Sequence, residues 1–300
     1  MKKFHSSELL SIPPKPIDYI VTNLIPCGGI CEMSGPPGEG KSSLALSLAA
    51  AVSSGSSWFG LAVKQTKVAW ITGESSDGHA IARDLHRLGV SDKSDILFLL
   101  PETEMFMFDG QYWITTPEGK AVLCEVREAG IEFVVIDTTG SVVAGSRELD
   151  NDQQRQLARH LRKETTGMTV LTISHTNQSS ANDKLDKRLH YLSRAGGNGF
   201  PGAVRWASGV SQLQAQDAES VGIEVQEIMN RRLLAFGVSK NNEMPRPIWT
   251  NRAPAVFEIK DDGRIVLFKD GLEKKQAVKP EYKPHALKRG KSRGSYGNDW

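Results

Sequence analysis

The sequence predicts an α/β domain, with a mostly parallel sheet flanked by helices and antiparallel strands added toward the C-terminus. Three observations carry that reading. The runs KVAWIT (67–72), FVVI (133–136) and MTVLTIS (168–174) are nearly continuous in apolar residues, as strands buried on both faces are. Helical patterns separate them, and strands alternating with helices at this spacing imply parallel pairing with both faces covered. After residue 230, four segments (233–238, 247–250, 256–259 and 265–268) alternate as antiparallel strands do.

The elements follow in order. Residues 1–25 hold Pro13, Pro14 and Pro16 and read as an extended lead-in. GGICEMS (28–34) reads as a strand, and the Ala- and Leu-rich stretch 41–54 as a helix, with a glycine-rich loop between them. A turn region at 54–60 precedes the strand 67–72, a helix over 77–88 ends near Gly89, and a strand covers 96–100. Residues 101–116 mix Met, Phe and Tyr with Pro, Asp and Gly and give no assignment. A helix over 117–129, the strand 133–136, a helix over 149–165 and the strand 168–174 complete the alternation. Residues 176–199 are polar and Gly-rich without apolar periodicity, and read as a long loop of the kind that is either functional or disordered. The domain division is a lead-in (1–25), one α/β domain (26–270) and a tail (271–300).

Composition sets the outer bounds. The chain has 300 residues with 39% hydrophobic and 24% charged, ordinary for a globular protein. No apolar run approaches the ~20 residues that a membrane span needs, and the N-terminus lacks a signal-peptide core, so the expectation is a cytoplasmic protein with no membrane partner. Three cysteines do not make a disulfide scaffold, and no second Cys or His pair completes a metal site with Cys27 and Cys31. The formal charge is +2, yet the stretch from Gly271 to Trp300 alone carries eight Lys/Arg against three Asp/Glu. With few aliphatics, that tail predicts disorder. Its charge suits either a phosphate backbone or simple solubilisation.

The most specific signal is G-x-x-x-x-G-K-S: Gly35, Pro36, Pro37, Gly38, Glu39, Gly40, Lys41 and Ser42. It stands between a strand and a helix, where a phosphate-binding loop belongs. Gly38 and Gly40 let backbone N–H groups face phosphate oxygens, and the helix N-terminus favours negative charge. Lys41 reaches the β- and γ-phosphates and Ser42 offers a hydroxyl to Mg²⁺; the set extends to Ser43. ATP and Mg²⁺ are the implied ligands. Asp137 closes FVVID, where a carboxylate at the C-terminal end of a parallel strand faces the ligand crevice and suits a water-mediated contact to Mg²⁺. Thr138 and Thr139 follow it rather than a glutamate, so the base that activates water comes from elsewhere. Glu74, just past KVAWIT, is the candidate. His175, just past MTVLTIS, is placed to sense the γ-phosphate and relay its state to the loop that follows.

The stretches GPPGEGKSS, VAWITGESSDG, FVVIDTTG, TVLTISHTN, GAVRW and FGVSKNNEMPRPIW together resemble the RecA-like AAA ATPase core of RepA-type plasmid and phage hexameric replicative DNA helicases, over residues 10–260. That resemblance implies Glu74 as base, Asp137 as the Mg²⁺ aspartate and His175 as sensor. It further implies Arg205 as an arginine finger acting on a neighbour's ATP, and Lys240 as a second intersubunit cation. It also implies a ring around single-stranded DNA, lined by 138–148 and 176–199. The second loop holds Lys184, Lys187, Arg188, Arg194 and Tyr191, charges for phosphates and an aromatic for a base, with Asp183 and Asp186 diluting the charge. Other replication proteins are the implied partners. The expectation departs from a full replicative helicase in one respect, since this sequence shows no primase-like or large N-terminal partner-binding domain. Two other functions stay open: a filament-forming recombination or repair ATPase, and an ATP-switched helicase loader or regulator that binds protein partners.

Overall fold

The computed structural model describes residues 3–13, 16–74, 77–145, 150–177, 182–193, 198–242 and 247–271. The first elements correct the expectation of an extended lead-in. Helix α1 (Ser6–Ser11) buries none of its residues, but β1 (Tyr19–Val21) and β2 (Ile25–Pro26) form an antiparallel hairpin. Its Ile20, Val21, Leu24 and Ile25 are all at most 1% exposed. The prolines had masked a short segment that is part of the core.

The main sheet is built from β3 (Gly29–Gly35), β4 (Val68–Ile71), β5 (Ile96–Leu99), β8 (Phe133–Ile136), β9 (Thr169–His175), β10 (Trp206–Gln212), β11 (Leu233–Asn241), β12 (Ala255–Ile259) and β13 (Ile265–Lys269). Its order is β13-β12-β11-β10-β3-β9-β8-β4-β5. From β10 through β5 all pairs are parallel, and β10 to β13 are joined antiparallel. The expected fold class therefore holds. The central strands β8 and β4 are buried at every position, which is why they read as unbroken apolar runs.

Helices cover both faces. On one side lie α2 (Lys41–Ser54) and α3 (Gly78–Leu88), with Trp58, Phe236, Trp249 and Phe257 packed together near α2 and the sheet. On the other lie α4 (Pro117–Glu128) and α6 (Asn151–Glu164). Helix starts follow local chemistry. The Asp77 side chain caps α3, Thr116 caps α4 ahead of Pro117, and Asp150 with Gln153 makes a capping box on α6. Between β8 and α6 runs α5 (Thr139–Val142).

Several segments differ from expectation. Residues 101–116 contain a hairpin, β6 (Phe106–Phe108) and β7 (Trp113–Thr115), turned at Asp109, whose carboxylate accepts from the amides of Gln111 and Tyr112. Residues 247–250 form no strand; Thr250 alone makes bridges, to Val238 and Ala253, and Trp249 enters the core with its indole N–H on Asp270. The long polar stretch folds in part as α7 (Leu185–Arg188), a 3₁₀ turn at Tyr191–Ser193 and α8 (Gly199–Ala203). Two further short helices, α9 (Ala218–Val221) and α10 (Val225–Asn230), join β10 to β11. Residues 272–300, and with them the tail expectation, lie outside the described residues. Among the described residues no helix is long and apolar enough to cross a membrane.

Phe257 is fully buried among Trp58, Phe59 and Trp249. Phe257→Ala is expected to cost about 3–5 kcal/mol in urea denaturation, whereas Val266→Ala on the edge strand, 38% exposed, is expected to stay within about 1 kcal/mol.

Candidate functional site

Parallel strands β3, β9, β8 and β4 end at one edge of the sheet, and the predicted site residues gather there. β3 runs straight into the loop 35–40, and α2 starts at Lys41. Two glycines of the motif are required for different reasons. A Cβ on Gly35 would stand 2.3 Å from the Val210 carbonyl oxygen of the neighbouring strand. Gly40 has φ +85°, and its Cβ would meet Leu234 and Ile259 below 3 Å. The loop is held from outside as well: Glu39 accepts from the Gln212 amide at 2.8 Å, and Arg232 Nη2 donates to the Gly38 carbonyl at 2.9 Å. The amides of the first helical turn have no intrahelical acceptor and carry the positive end of the helix dipole. That makes this loop a cradle for phosphate.

Lys41 is 4% exposed. Its ammonium donates to the Pro36 carbonyl at 2.6 Å and lies 3.4 Å from His175 Nδ1. Burial lowers its pKa to about 8, against the raising effect of Asp137, Glu39 and Glu74. Asp137 is 7% exposed at the end of β8, its amide bonded to the Ile71 carbonyl. Burial raises its carboxyl to about 6, while the Ser42 hydroxyl bonded to it lowers it and Glu74 raises it. Oδ1 of Asp137 is buried with no hydrogen-bond partner among the described residues. A buried carboxylate oxygen left open beside a serine hydroxyl is a hard-oxygen set that fits Mg²⁺.

Glu74 is exposed at the rim beyond β4. Its Oε1 accepts from the Thr138 hydroxyl at 2.8 Å, and its amide donates to Thr72 Oγ1 at 3.2 Å. Thr138 thus fixes the Glu74 side chain from the strand that carries Asp137, across a peptide bond that is cis between Asp137 and Thr138. Gly38, Gly40, Lys41, Ser42, Ser43 and Glu74 line one cleft of about 300 Å³, with Thr138 and His175.

A family model described as AAA domain matches residues 2–181. The chain belongs to that family. Among solved structures, the fold is similar to that of the KaiC-like protein PH0186 from the hyperthermophilic archaeon Pyrococcus horikoshii OT3, with a TM-score of 0.54 and 15% identity, covering 85% of this chain and 100% of that one. At that identity the likeness concerns the fold alone. Family and fold together make this AAA-domain chain a RecA-like P-loop ATPase.

Other predicted residues fare differently. Arg205 is exposed, at the foot of β10 and away from the chain's own phosphate loop. Lys240 was expected to face a neighbouring subunit. Instead its ammonium bonds the Pro201 and Gly202 carbonyls at 2.9 and 2.8 Å and lies over the Tyr191 ring, so it is tied within its own chain. Arg188 requires a clear correction as a DNA contact: it is 2% exposed and ion-paired to the buried Asp217. Tyr191 is half-buried and stacked on His190 at 4.5 Å. Lys184 and Lys187 are exposed, and Arg194 lies outside the described residues. Sequence reasoning missed Thr138 as the support of Glu74. It also missed Arg232, since an Arg pair before an apolar run carries no signal of its own.

The raised Asp137 carboxyl has a signed consequence. The unfolded group titrates near 3.8 and the folded one near 6. The folded chain therefore holds the extra proton between those values, and stability falls as pH rises through that window. Without metal or nucleotide (in EDTA), Asp137→Asn is expected to be more stable than the parent at pH 7, by up to roughly 3 kcal/mol. The advantage should shrink toward pH 4 in urea melts, and a gap constant from pH 4.5 to 8 would contradict the assignment.

Proposed function

We propose that this AAA-domain protein is a Mg²⁺-dependent ATP hydrolase that works as a hexameric helicase or translocase on single-stranded DNA in replication. The observation that carries the hydrolytic reading is the Thr138–Glu74 hydrogen bond beside Lys41 and Asp137. It holds a carboxylate at the mouth of a phosphate cradle, where a general base is needed.

The chain's own residues divide the work. The loop 35–40 and Lys41 bind the β- and γ-phosphates, and Lys41 gains full charge as the anion compensates its burial. Ser42 and Asp137 would hold Mg²⁺, which supplies charge neutralisation at the phosphates when bound. Glu74 orients the attacking water and takes its proton. Arg205, exposed on the chain's far side, is the residue to reach a neighbour's nucleotide as a finger. His175 lies within 3.4 Å of Lys41, so loss of the γ-phosphate is felt at the end of β9 and in the segment after it, where Lys184 and Lys187 are the accessible cations.

One observation favours a second reading, an ATP-switched regulator or helicase loader that binds a protein partner. With Arg188 buried and Tyr191 engaged, the segment offers fewer free groups to a nucleic acid than its composition implies. Steady-state hydrolysis separates the two readings. The parent should hydrolyse ATP with stimulation by single-stranded DNA that weakens with salt, and Glu74→Gln should lower kcat by about 10²–10⁴-fold while nucleotide binding survives. Turnover indifferent to DNA would retain the ATPase and remove the motor.

A further inference from the structure

The cleft that holds the phosphate loop has a wall the motif does not supply. Arg232 stands at the entry to β11, and its carbonyl accepts from the Ile259 amide at 2.9 Å. Because β11 runs antiparallel to β10, its start lies at the same sheet edge as the ends of β3, β8 and β9. The side chain therefore approaches the loop from a rigid strand of the same subunit. Three long cations line this cleft: Lys41, Arg87 and Arg232. Arg87 is matched with Asp84 at 3.5 Å and lies across the hairpin turn at Gly263. Lys41 is buried within the loop. Arg232 is exposed, and among the described residues its guanidinium has no carboxylate partner and makes one hydrogen bond, Nη2 to the Gly38 carbonyl.

The adjacent Arg231 shows the contrast. It donates to both oxygens of Glu258, at 3.1 and 3.2 Å, and lies over the Phe268 ring, so its charge is spent on holding β12 and β13. Arg232 spends one N–H on a neutral carbonyl at the apex of a phosphate cradle and keeps its charge and remaining donors available. A guanidinium has five donors in a planar fork, and phosphate oxygens match that geometry. The polyphosphate of a nucleoside di- or triphosphate carries more negative charge than Lys41 alone neutralises.

We propose that Arg232 is a phosphate-binding residue supplied by the same subunit as the loop. It holds the loop open through Gly38 and presents its free N–H groups to the nucleotide phosphates. It thereby adds a cation to the site independently of any neighbour's finger. The inference rests on the nucleotide-hydrolase reading above.

The test is calorimetric titration of the full chain with ADP at two salt concentrations. Arg232→Ala is expected to weaken ADP binding about 10- to 100-fold, less so at high salt. Arg232→Lys should recover part of the loss. Arg232→Gln keeps an amide for Gly38 but no charge, and should recover none. Arg231→Ala should leave ADP affinity as in the parent, with only stability reduced. Affinity of Arg232→Ala within twofold of the parent would overturn the proposal, as would Gln restoring binding as well as Lys, since either result makes the arginine a loop strut. If Arg232→Ala fails to fold, the Lys and Gln pair decides alone. A folded parent that binds no ADP would overturn the underlying reading and this proposal with it. A parent that binds ADP, beside an Arg232 series without effect, would overturn the proposal alone.

Discussion

A buried ammonium sets the terms for the rest of the molecule. Lys41 sits at the start of α2 with almost no solvent contact, and a charge so placed is costly unless its surroundings compensate it. The Pro36 carbonyl, Asp137, Glu39 and Glu74 do so in part; Pro36 and Glu39 belong to the loop after β3, while Asp137 and Glu74 follow β8 and β4. To bring them within reach, β3, β8 and β4 must end at the same level, which parallel pairing in register achieves. The loop must also turn within van der Waals contact of β10, β11 and β12, which Gly35 and Gly40 permit. Lys41 is lowered toward neutrality by burial while Asp137 is raised by the same cause. These are signs of a site whose electrostatics are completed by what binds there.

Much of this was legible in the amino-acid order, and the reasons are specific. β8 and β4 are buried on both faces, so their sequences could be nothing but apolar, and the polar residue that ends each run marks the sheet's working edge. The phosphate loop was legible because its backbone geometry restricts residue type at fixed spacing. β10 was missed. After Trp206 its sequence ASGVSQ is mostly small or polar, and at Gly209 the reason is contact with Leu189 of the preceding segment, where a Cβ would be 2.4 Å from the Leu189 carbonyl oxygen. That close packing excludes a side chain at the centre of the strand and breaks the apolar run by which a buried strand is usually recognised. The hairpin at 106–115 carried an Asp-Gly turn between two apolar triplets, a known hairpin signal that the surrounding polar residues obscured.

The polar segment after β9 was misread for a related reason. Charge and lack of periodicity suggested a loop in solvent, yet Leu185 and Leu189 are buried in a small cluster with Leu213 and Val256. Arg188 reaches Asp217 beneath them, and Tyr191 bonds through its amide to Ser239. A charged side chain whose partner lies some 30 residues on in sequence cannot be distinguished from a solvated one without the fold. Buried pairs of this kind are weak sources of stability but specify geometry. Here the pair fixes the segment that follows His175 against the β10–β11 half of the sheet.

That attachment bears on how the nucleotide site communicates. β9 ends at His175 beside Lys41, and the next residues are tied through Arg188 and Tyr191 to elements next to β10 and β11. The start of β11 carries Arg232, which returns to the phosphate loop at Gly38. Lys240, further along β11, holds the carbonyls of Pro201 and Gly202, just ahead of Arg205. The path from Lys41 through His175 to the polar segment, and back through β11 to the loop, is therefore closed within one chain. Along that path, β11 meets the loop at one end through Arg232 and the approach to Arg205 at the other through Lys240. β11 pairs with β10 from Leu234 to Asn241 and with β12 from Leu233 to Phe236, so its Arg232 end is the one held by strands on both sides.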